Sequence, residues 1–389
     1  MSAQSTGAWE LPEELVLLRE TVRRFMAAYV RPIEDTLPHD SIGLPRDQLV
    51  ELQAKARELG LWALQTPEEF GGTGLSVLGQ VVVAEEAAKC RMGAFFPALG
   101  AFGGNPPNVM FKASPQQFAT YAKPIIDGTM TKAYTAITEA SGGSDPARAI
   151  QLKAGRDGDT YILNGSKMWI SHAREADWGV VYARTGPGRN GISCFIVEKD
   201  TPGMSFNRID VMASFCPYEL HFDNVRIPAD RLIGAEGQGL ALANDFLVRG
   251  RITYAAGPIG IAQTSLDLAR QWVTDRDVFG GKLADKQGIR WMLVDSEVEL
   301  RAARLLVYQA AWNADLGRDV RVDASIAKLN ATEAAYRVVD RCIQIHGALG
   351  LSNELPLERW FRDLRVKRLG EGATEVQREI VARNLLDNR

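Results

Sequence analysis

The chain has 389 residues, 46% of them hydrophobic and 24% charged, with a formal net charge of −3. This is the composition of an ordinary globular protein, long enough for two or three domains. It excludes the basic surface that announces nucleic acid, and no apolar run approaches the roughly 18 residues a membrane-crossing helix needs.

The four cysteines, Cys90, Cys194, Cys216 and Cys342, lie far apart. None has zinc-site spacing, so a reducing, cytoplasmic setting without a metal is the expectation. The N-terminal stretch lacks the basic-then-apolar pattern of a signal peptide.

The first third reads as helical. Pro12 suits a helix start, and Leu15, Leu18, Val22, Phe25 and Tyr29 form one stripe at steps of three and four. Arg46 to Leu59, Leu75 to Cys90 and Ser114 to Ile126 read as further helices, the last with Ser114 as N-cap. The segment Pro67-Glu-Glu-Phe-Gly-Gly-Thr-Gly74 reads as a loop.

Beyond Lys132 the pattern turns to strands: Ala133 to Thr138, Gln151 to Lys153, Tyr161 to Asn164 and Lys167 to Ser171. Tight turns are expected at Arg156 to Thr160 and at Asn164-Gly165. Trp178 to Arg184, Ile192 to Glu198 and the region of Leu220 to Val225 are further strands. The section reads as hairpins rather than βαβ units, and it has no dinucleotide fingerprint.

From Leu240 the chain is helical again. Leu242 to Thr274 is one long candidate, with a kink or break expected at Pro258. Ile289, Leu293, Ser296, Leu300, Ala303 and Val307 form one bundle stripe, and Ile326, Leu329, Tyr336, Val339 and Ile343 a second. The chain is therefore expected to be an α+β, multi-part protein: an N-terminal helical domain (1–130), a middle β domain (131–239) and a C-terminal helical bundle (240–389).

Five places carry residue types that suit chemistry, and each also has a plain structural reading. Gly370-Glu371-Gly372 puts a carboxylate on a glycine-flanked kink before a helix, which suits a general base or a simple helix–helix connector. Thr138-Glu139 … Gly142-Gly-Ser-Asp145 offers hydroxyls and backbone N–H groups, as a ligand loop or a turn. Trp169 and Ser171 are expected on one strand face, as a stacking platform or as core. Arg276 ends a helix, where it suits a pyrophosphate or the helix dipole. Gln344 to Gly350 ends another helix with two glycines, explained by a ligand or a cap. His39, His172, His221 and His346 are dispersed and form no nucleophile–base dyad; His346 reads as structural.

The order of these segments resembles the acyl-CoA dehydrogenase family from about residue 12 onward. The matching motifs are TEASGGSD from Thr138, LNGSKMWIS from Leu163, FDNVRIP from Phe222, RDVFGGKLADKQ from Arg276, QIHGALG from Gln344 and EGATEVQ from Glu371, with PEEFGG earlier. The resemblance implies N-terminal helices, a central β barrel-like domain and a C-terminal four-helix bundle. It also implies FAD, a homotetramer, and α,β-dehydrogenation of an acyl-CoA thioester in fatty acid metabolism. Electrons would pass to an electron-transfer flavoprotein.

By the same resemblance Glu371 is the catalytic base. Some family members carry the base at the position of Gly250 instead, and glycine there agrees with glutamate at 371. Thr138, Ser144, Trp169 and Ser171 would contact the flavin. Arg276, Phe279, Gln287, Gln344 and Gly347 would hold its ADP half, partly across a subunit interface. Ser144, Arg251 and Gly372 would lie near the substrate.

Several positions depart from the family pattern. Ala140 replaces a usual proline, Val248 a frequent aspartate, and Ala373 and Glu375 replace flavin contacts for which Thr374 is a substitute. Val211 to Phe222 is shorter than usual and lacks its usual character. The acyl pocket floor is expected from Phe95 to Asn108 and near Phe246, and the small residues of Ala98 to Gly104 suggest room for a bulky or branched group. Two other functions stay open on this sequence: an oxygen-using oxidase or flavin monooxygenase, and a non-catalytic FAD-binding scaffold.

Overall fold

A computed structural model describes residues 10–130 and 132–387. Helix α1 (Glu13–Phe25) follows Pro12 and buries Leu15, Val22 and Phe25, while Tyr29 beyond it keeps surface. Helix α2 (Arg46–Glu58) follows, then α3 (Val77–Ala87), capped by the Ser76 hydroxyl accepting from the Gly79 N–H. Ser114 and Gln117 form a reciprocal capping box, which fixes the start of the last N-terminal helical segment. Ala98, Leu99 and Ala101 are fully buried in the N-terminal core. The small residues expected to widen an acyl pocket thus serve packing, and the side chain of Phe246 lies outside the described ones.

The middle section is one eight-stranded sheet. Its strands are β1 (Tyr134–Ala136), β2 (Lys153–Asp157), β3 (Thr160–Ile170), β4 (Trp178–Arg184), β5 (Ile192–Glu198), β6 (Met204–Arg208), β7 (Tyr218–Pro228) and β8 (Leu232–Ile233). The order is β6-β7-β3-β2-β4-β5-β8, with β1 added on β4. Most pairs are antiparallel, but β1 runs parallel to β4, so the section is not built of hairpins alone.

The turn expected at Asn164-Gly165 does not form. The chain continues as a single strand, because β7 pairs with both halves of β3 and a bulge at Gly165 (φ 138°) absorbs the irregular register. A second irregularity between Lys167 and Ile170 puts Trp169 at φ 64°, and the strand ends before Ser171. The simple alternation expected of Trp169 and Ser171 is therefore broken, although both side chains are exposed.

β4 and β5 are buried on both faces, which is why they read as continuous apolar runs. Val181, Ala183, Phe195 and Val197 face a core shared with β2, β3 and β7. Val180, Tyr182, Cys194 and Ile196 face Tyr121, Ile125 and the start of the next long helix, which welds the sheet to its helical neighbours.

That helix, α4 (Gly239–Asp275), runs unbroken through Pro258. Proline removes the bond to the carbonyl of Tyr254, but Ala255, Ala256, Ile259, Ile261 and Ala262 are buried around it and hold the helix together. After it come α5 (Gln287–Asp315), α6 (Arg321–His346), α7 (Leu357–Lys367) and α8 (Thr374–Asp387). On α5 the buried face carries Ser296, Leu300, Ala303 and Val307, as expected.

On α6 the expected stripe is offset. The buried face is Ala324, Ala327, Ala331, Ala334, Ala335, Val338 and Cys342; of the expected stripe Val339 is buried with it, while Ile326, Leu329, Tyr336 and Ile343 are only partly covered. Small side chains let α4 and α5 approach closely, so the tight face is alanine-rich and the larger residues flank it. Among the described residues no helix is long and apolar enough to cross a membrane.

Candidate active site

The loop between α7 and α8 carries Glu371 in a left-handed backbone conformation (φ 55°), with Gly372 at φ 91° after it. Few non-glycine residues adopt this conformation, and it persists where the surroundings enforce it. Here they do so through carbonyls. Arg251 Nε donates to the Glu371 carbonyl at 3.0 Å, and Gln377 Nε2 donates to the carbonyls of Glu371 and Gly372 at 3.1 and 3.0 Å. Lys328 Nζ, wholly buried, donates to the carbonyls of Gly372 at 2.9 Å and Arg368 at 3.0 Å. Glu333 accepts from Arg368 Nε and from the Thr374 hydroxyl, so Thr374 is occupied inside the protein rather than available to a flavin.

Gly370 is required by close approach: a Cβ there would lie 2.3 Å from the Tyr254 Oη. The Glu371 N–H has no protein acceptor among the described residues.

Glu371 is exposed to solvent, yet enough protein lies around it to weaken its hydration. Loss of hydration raises its carboxyl, and Arg251, Lys367 and Lys328 pull it back. Lys367 sits one turn earlier with its ammonium 4.4 Å from the Tyr254 ring centroid and 5.1 Å from that of Phe95. Burial brings it down to about 8 against the opposing pull of Asp363 and Glu371.

The sheet end of the site is built on a buried ion pair. Lys167 Nζ meets Glu139 Oε1 at 2.8 Å and also donates to the Ile137 carbonyl. Glu139 accepts from the N–H groups of Gln151 and Leu152. This pair, with Met168 N–H donating to the Thr138 carbonyl at 2.9 Å, ties the loop from Thr138 to Ser144 against β3. Trp169 stands 51% exposed beside it, and Ser144 and Ser171 are exposed. A flat apolar ring left open among hydroxyls fits the planar, polar-edged ring of a flavin. The two patches meet through His172, which follows Ser171 and feels the charge of Lys367.

The remaining candidates lie elsewhere. Arg276 packs 5.5 Å from the Trp272 ring, and Trp272 stacks on the buried His346 at 5.5 Å, so Arg276 and the Gln344–Gly347 segment adjoin. Phe279 is 97% exposed at φ 48°, and Gln287 opens α5. His346 Nδ1 lies 2.7 Å from the Cys342 carbonyl, in the structural role expected of it. Arg251 lies on α4 and Arg276 directly follows its end, 25 residues on, which is about 37 Å at helical rise. One chain does not bring the Arg276 group to the Glu371 group.

Sequence reasoning missed Lys328, Lys367, Tyr254, Lys132, His172, Glu139 and Lys167 as site residues. Two left a legible sign. Lys328 interrupts an alanine-rich helix face, and Lys167 stands at an inward position of a strand. His172 gave none, since its partners come from distant segments.

Residues 12–129, 135–225 and 237–386 match, in turn, the N-terminal, middle and C-terminal domains described for acyl-CoA dehydrogenase. The mouse mitochondrial short-chain specific acyl-CoA dehydrogenase is 35% identical over 385 residues, spanning 97% of this chain and 91% of that one. The structure of butyryl-CoA dehydrogenase from Megasphaera elsdenii superposes with a TM-score of 0.86 at 31% identity, covering 98% of this chain and all of the other. The FAD complex of PigA superposes with a TM-score of 0.87 at 26% identity, over 97% and 99% of the two chains.

Proposed function

The chain belongs to the acyl-CoA dehydrogenase family, and from that premise we propose that it converts an acyl-CoA thioester to the trans-2-enoyl thioester, with Glu371 as the base that takes the α-proton. The observation that carries this reading is the enforced Glu371 loop, which presents an accessible carboxylate while Arg251, Gln377 and Lys328 hold the loop's backbone carbonyls.

Bound FAD supplies the hydride acceptor that no side chain provides. Trp169, Thr138, Ser144 and Ser171 are the residues we assign to its ring, on the strength of the exposure of Trp169, Ser144 and Ser171 and of the loop–strand junction that half-buried Thr138 shares with them. Glu371 must be ionised to accept the α-proton. Bound substrate displaces water from the carboxylate, which raises the carboxyl further and brings it closer to the operating pH of a general base. Arg251, Lys367 and Lys328 limit that rise, so the carboxylate stays available. The unoccupied N–H of Glu371 is positioned to donate to the thioester oxygen, where negative charge develops as the α-proton leaves. Gly372 and Arg251 shape the rim beside it.

A homo-oligomer, read from the sequence as a tetramer, is part of the same proposal. Support comes from the distance between the two ligand groups and from α5. On that helix Trp291, Val294, Val298, Leu305 and Trp312 form an exposed apolar stripe at steps of three, four and seven, continued by Leu316 at the helix end. An electron-transfer flavoprotein as acceptor rests on family membership. A cytoplasmic location is supported by the free state of Cys90, Cys194, Cys216 and Cys342.

The test is an anaerobic titration of the flavin-loaded protein with acyl-CoAs of graded length. Bleaching of oxidised flavin by any of them is expected. A loaded protein that none of them bleaches refutes the assignment, and rapid oxygen consumption during turnover replaces the dehydrogenase reading with an oxidase.

A further inference from the structure

An unusual set of side chains continues from Glu371 into the interior. Lys367 lies between the rings of Tyr254 and Phe95. Phe95 packs on Phe215 at 5.8 Å, and Phe215 on the His172 imidazole at 4.6 Å and on Phe96 at 5.5 Å. Lys132 closes the row, its ammonium 5.5 Å from the Phe96 ring and 3.3 Å from His172 Nδ1. The row thus has aromatic walls, with a lysine toward the base and a second lysine at its far end. Phe95, Phe96, Lys132, His172, Tyr254 and Lys367 are each only partly buried.

Among the described residues neither ammonium is hydrogen-bonded or ion-paired to a carboxylate, although Asp363 and Glu371 act on Lys367 and Glu175 on Lys132 from farther off. Among the described residues Lys367 makes no hydrogen bond and no ion pair, and Lys132 meets only His172. The nearby carboxylates are engaged otherwise. Asp363 accepts from the Ser214 N–H and hydroxyl at 2.7 and 2.8 Å and faces Arg359. Glu175 accepts from the Tyr218 hydroxyl. Glu371 is the proposed base. His172 is held neutral, since burial and the two lysines bring it down to about 3. Two cations on aromatic walls without a directly bonded counter-ion are costly, and a ligand carboxylate would supply that bond.

The wall is built on purpose-shaped backbone. The segment Val211 to Phe222, which departs from the family pattern, is pinned to α7 by Asp363 on Ser214 and by Arg362 donating to the Met212 carbonyl at 2.9 Å. That anchoring delivers Phe215 into the row.

We propose that this row of side chains binds the distal part of the acyl group, and that Lys367 and Lys132 select an acyl chain ending in a carboxylate, the monothioester of a dicarboxylic acid. The proposal deepens the function proposed above and rests on Glu371 marking the reacting end. A short diacid places its carboxylate at Lys367 and a longer one at Lys132. Aromatic walls exclude water, which strengthens the ion pair relative to one in solvent. A methyl-terminated chain of equal length leaves both ammoniums unpaired.

The experiment compares kcat/KM for matched pairs: butyryl-CoA with succinyl-CoA, valeryl-CoA with glutaryl-CoA, and hexanoyl-CoA with adipoyl-CoA. The loaded protein is expected to prefer one of the carboxylated partners by about tenfold or more, the scale of a desolvated charge pair. Lys132→Met and Lys367→Met are expected to collapse that ratio, each at a different chain length. The ratio is internal to each variant, so a general loss of activity or of folded protein does not mimic it. A preference for the methyl-terminated member in every pair, or a ratio unmoved in both variants, overturns the proposal. So does a changed flavin reduction potential in Lys132→Met with the ratio intact, which assigns the lysines to the cofactor. If no thioester bleaches the flavin, the reaction assignment fails by itself. Calorimetric binding of glutaryl-CoA against valeryl-CoA then decides the carboxylate selection independently.

Discussion

Replacing Lys328 by methionine separates positioning of the base from stability. The ammonium donates to two buried carbonyls, those of Arg368 and Gly372. Charge-assisted bonds of this kind are worth about 1.5–3 kcal/mol each, so their loss costs roughly 3–6 kcal/mol. Against this, burial has drawn Lys328 from its ordinary 10.5 to about 8. At about 1.36 kcal/mol per pK unit, that is a standing cost of roughly 3 kcal/mol which methionine does not carry. The two nearly cancel, leaving a net loss of roughly 0–3 kcal/mol.

The loop from Arg368 to Gly372 nevertheless loses one of its three anchors, which lets Glu371 shift. Misplacement of a reacting group by an ångström costs on the order of 100-fold, so kcat is expected to fall by about 10- to 100-fold while Tm moves little. The pH profile adds a readout that loss of structure does not produce. The positive charge of Lys328 lowers the Glu371 carboxyl. Removing it raises that carboxyl, and because the base works ionised, the acid limb of kcat/KM moves to higher pH. Steady-state kinetics across pH, with thermal melts of the same preparations, measure all three. Unchanged kcat together with an unmoved acid limb refutes the role of Lys328.

Three further outcomes are expected. Glu371→Gln should lower kcat by about 100- to 10,000-fold while the protein still carries flavin, and near-normal turnover would dismiss Glu371 as the base. Glu139→Ala leaves the wholly buried Lys167 uncompensated and frees the N–H groups of Gln151 and Leu152. Urea unfolding should report a loss of about 3–5 kcal/mol with reduced flavin content, and a loss below about 1 kcal/mol would contradict the buried-pair account. Val298→Glu puts a charge in the exposed stripe of α5, and sedimentation should detect a smaller assembly. An unaltered sedimentation coefficient would show that this face is not the contact between copies.

Much of this protein was legible in its residues. Periodicity marked α1 and the core stripe of α5, because each of these helices buries one face and exposes the other. The strands β4 and β5 announced themselves by unbroken apolar runs, since both of their faces are covered. Motif order pointed to the family, to FAD and to Glu371. Legibility failed where partners are remote in sequence. The bulge at Gly165 depends on β7 pairing along both halves of β3, and the continuity of α4 through Pro258 depends on burial against its neighbours.

The site divides in the same way. Sequence alone determined that a glutamate stands between two glycines ahead of a helix, and that a tryptophan and several hydroxyls sit near a strand end. Only the tertiary structure decided what holds that glutamate, because Arg251, Lys328 and Gln377 reach it from α4, α6 and α8. Only the structure set Lys132, His172, Phe215 and Lys367 in one row, since four separate segments contribute them. Local patterns encode which face of an element is apolar. They do not encode which distant charge shares a low-dielectric space with which carboxylate, and that distance sets the electrostatics of the site.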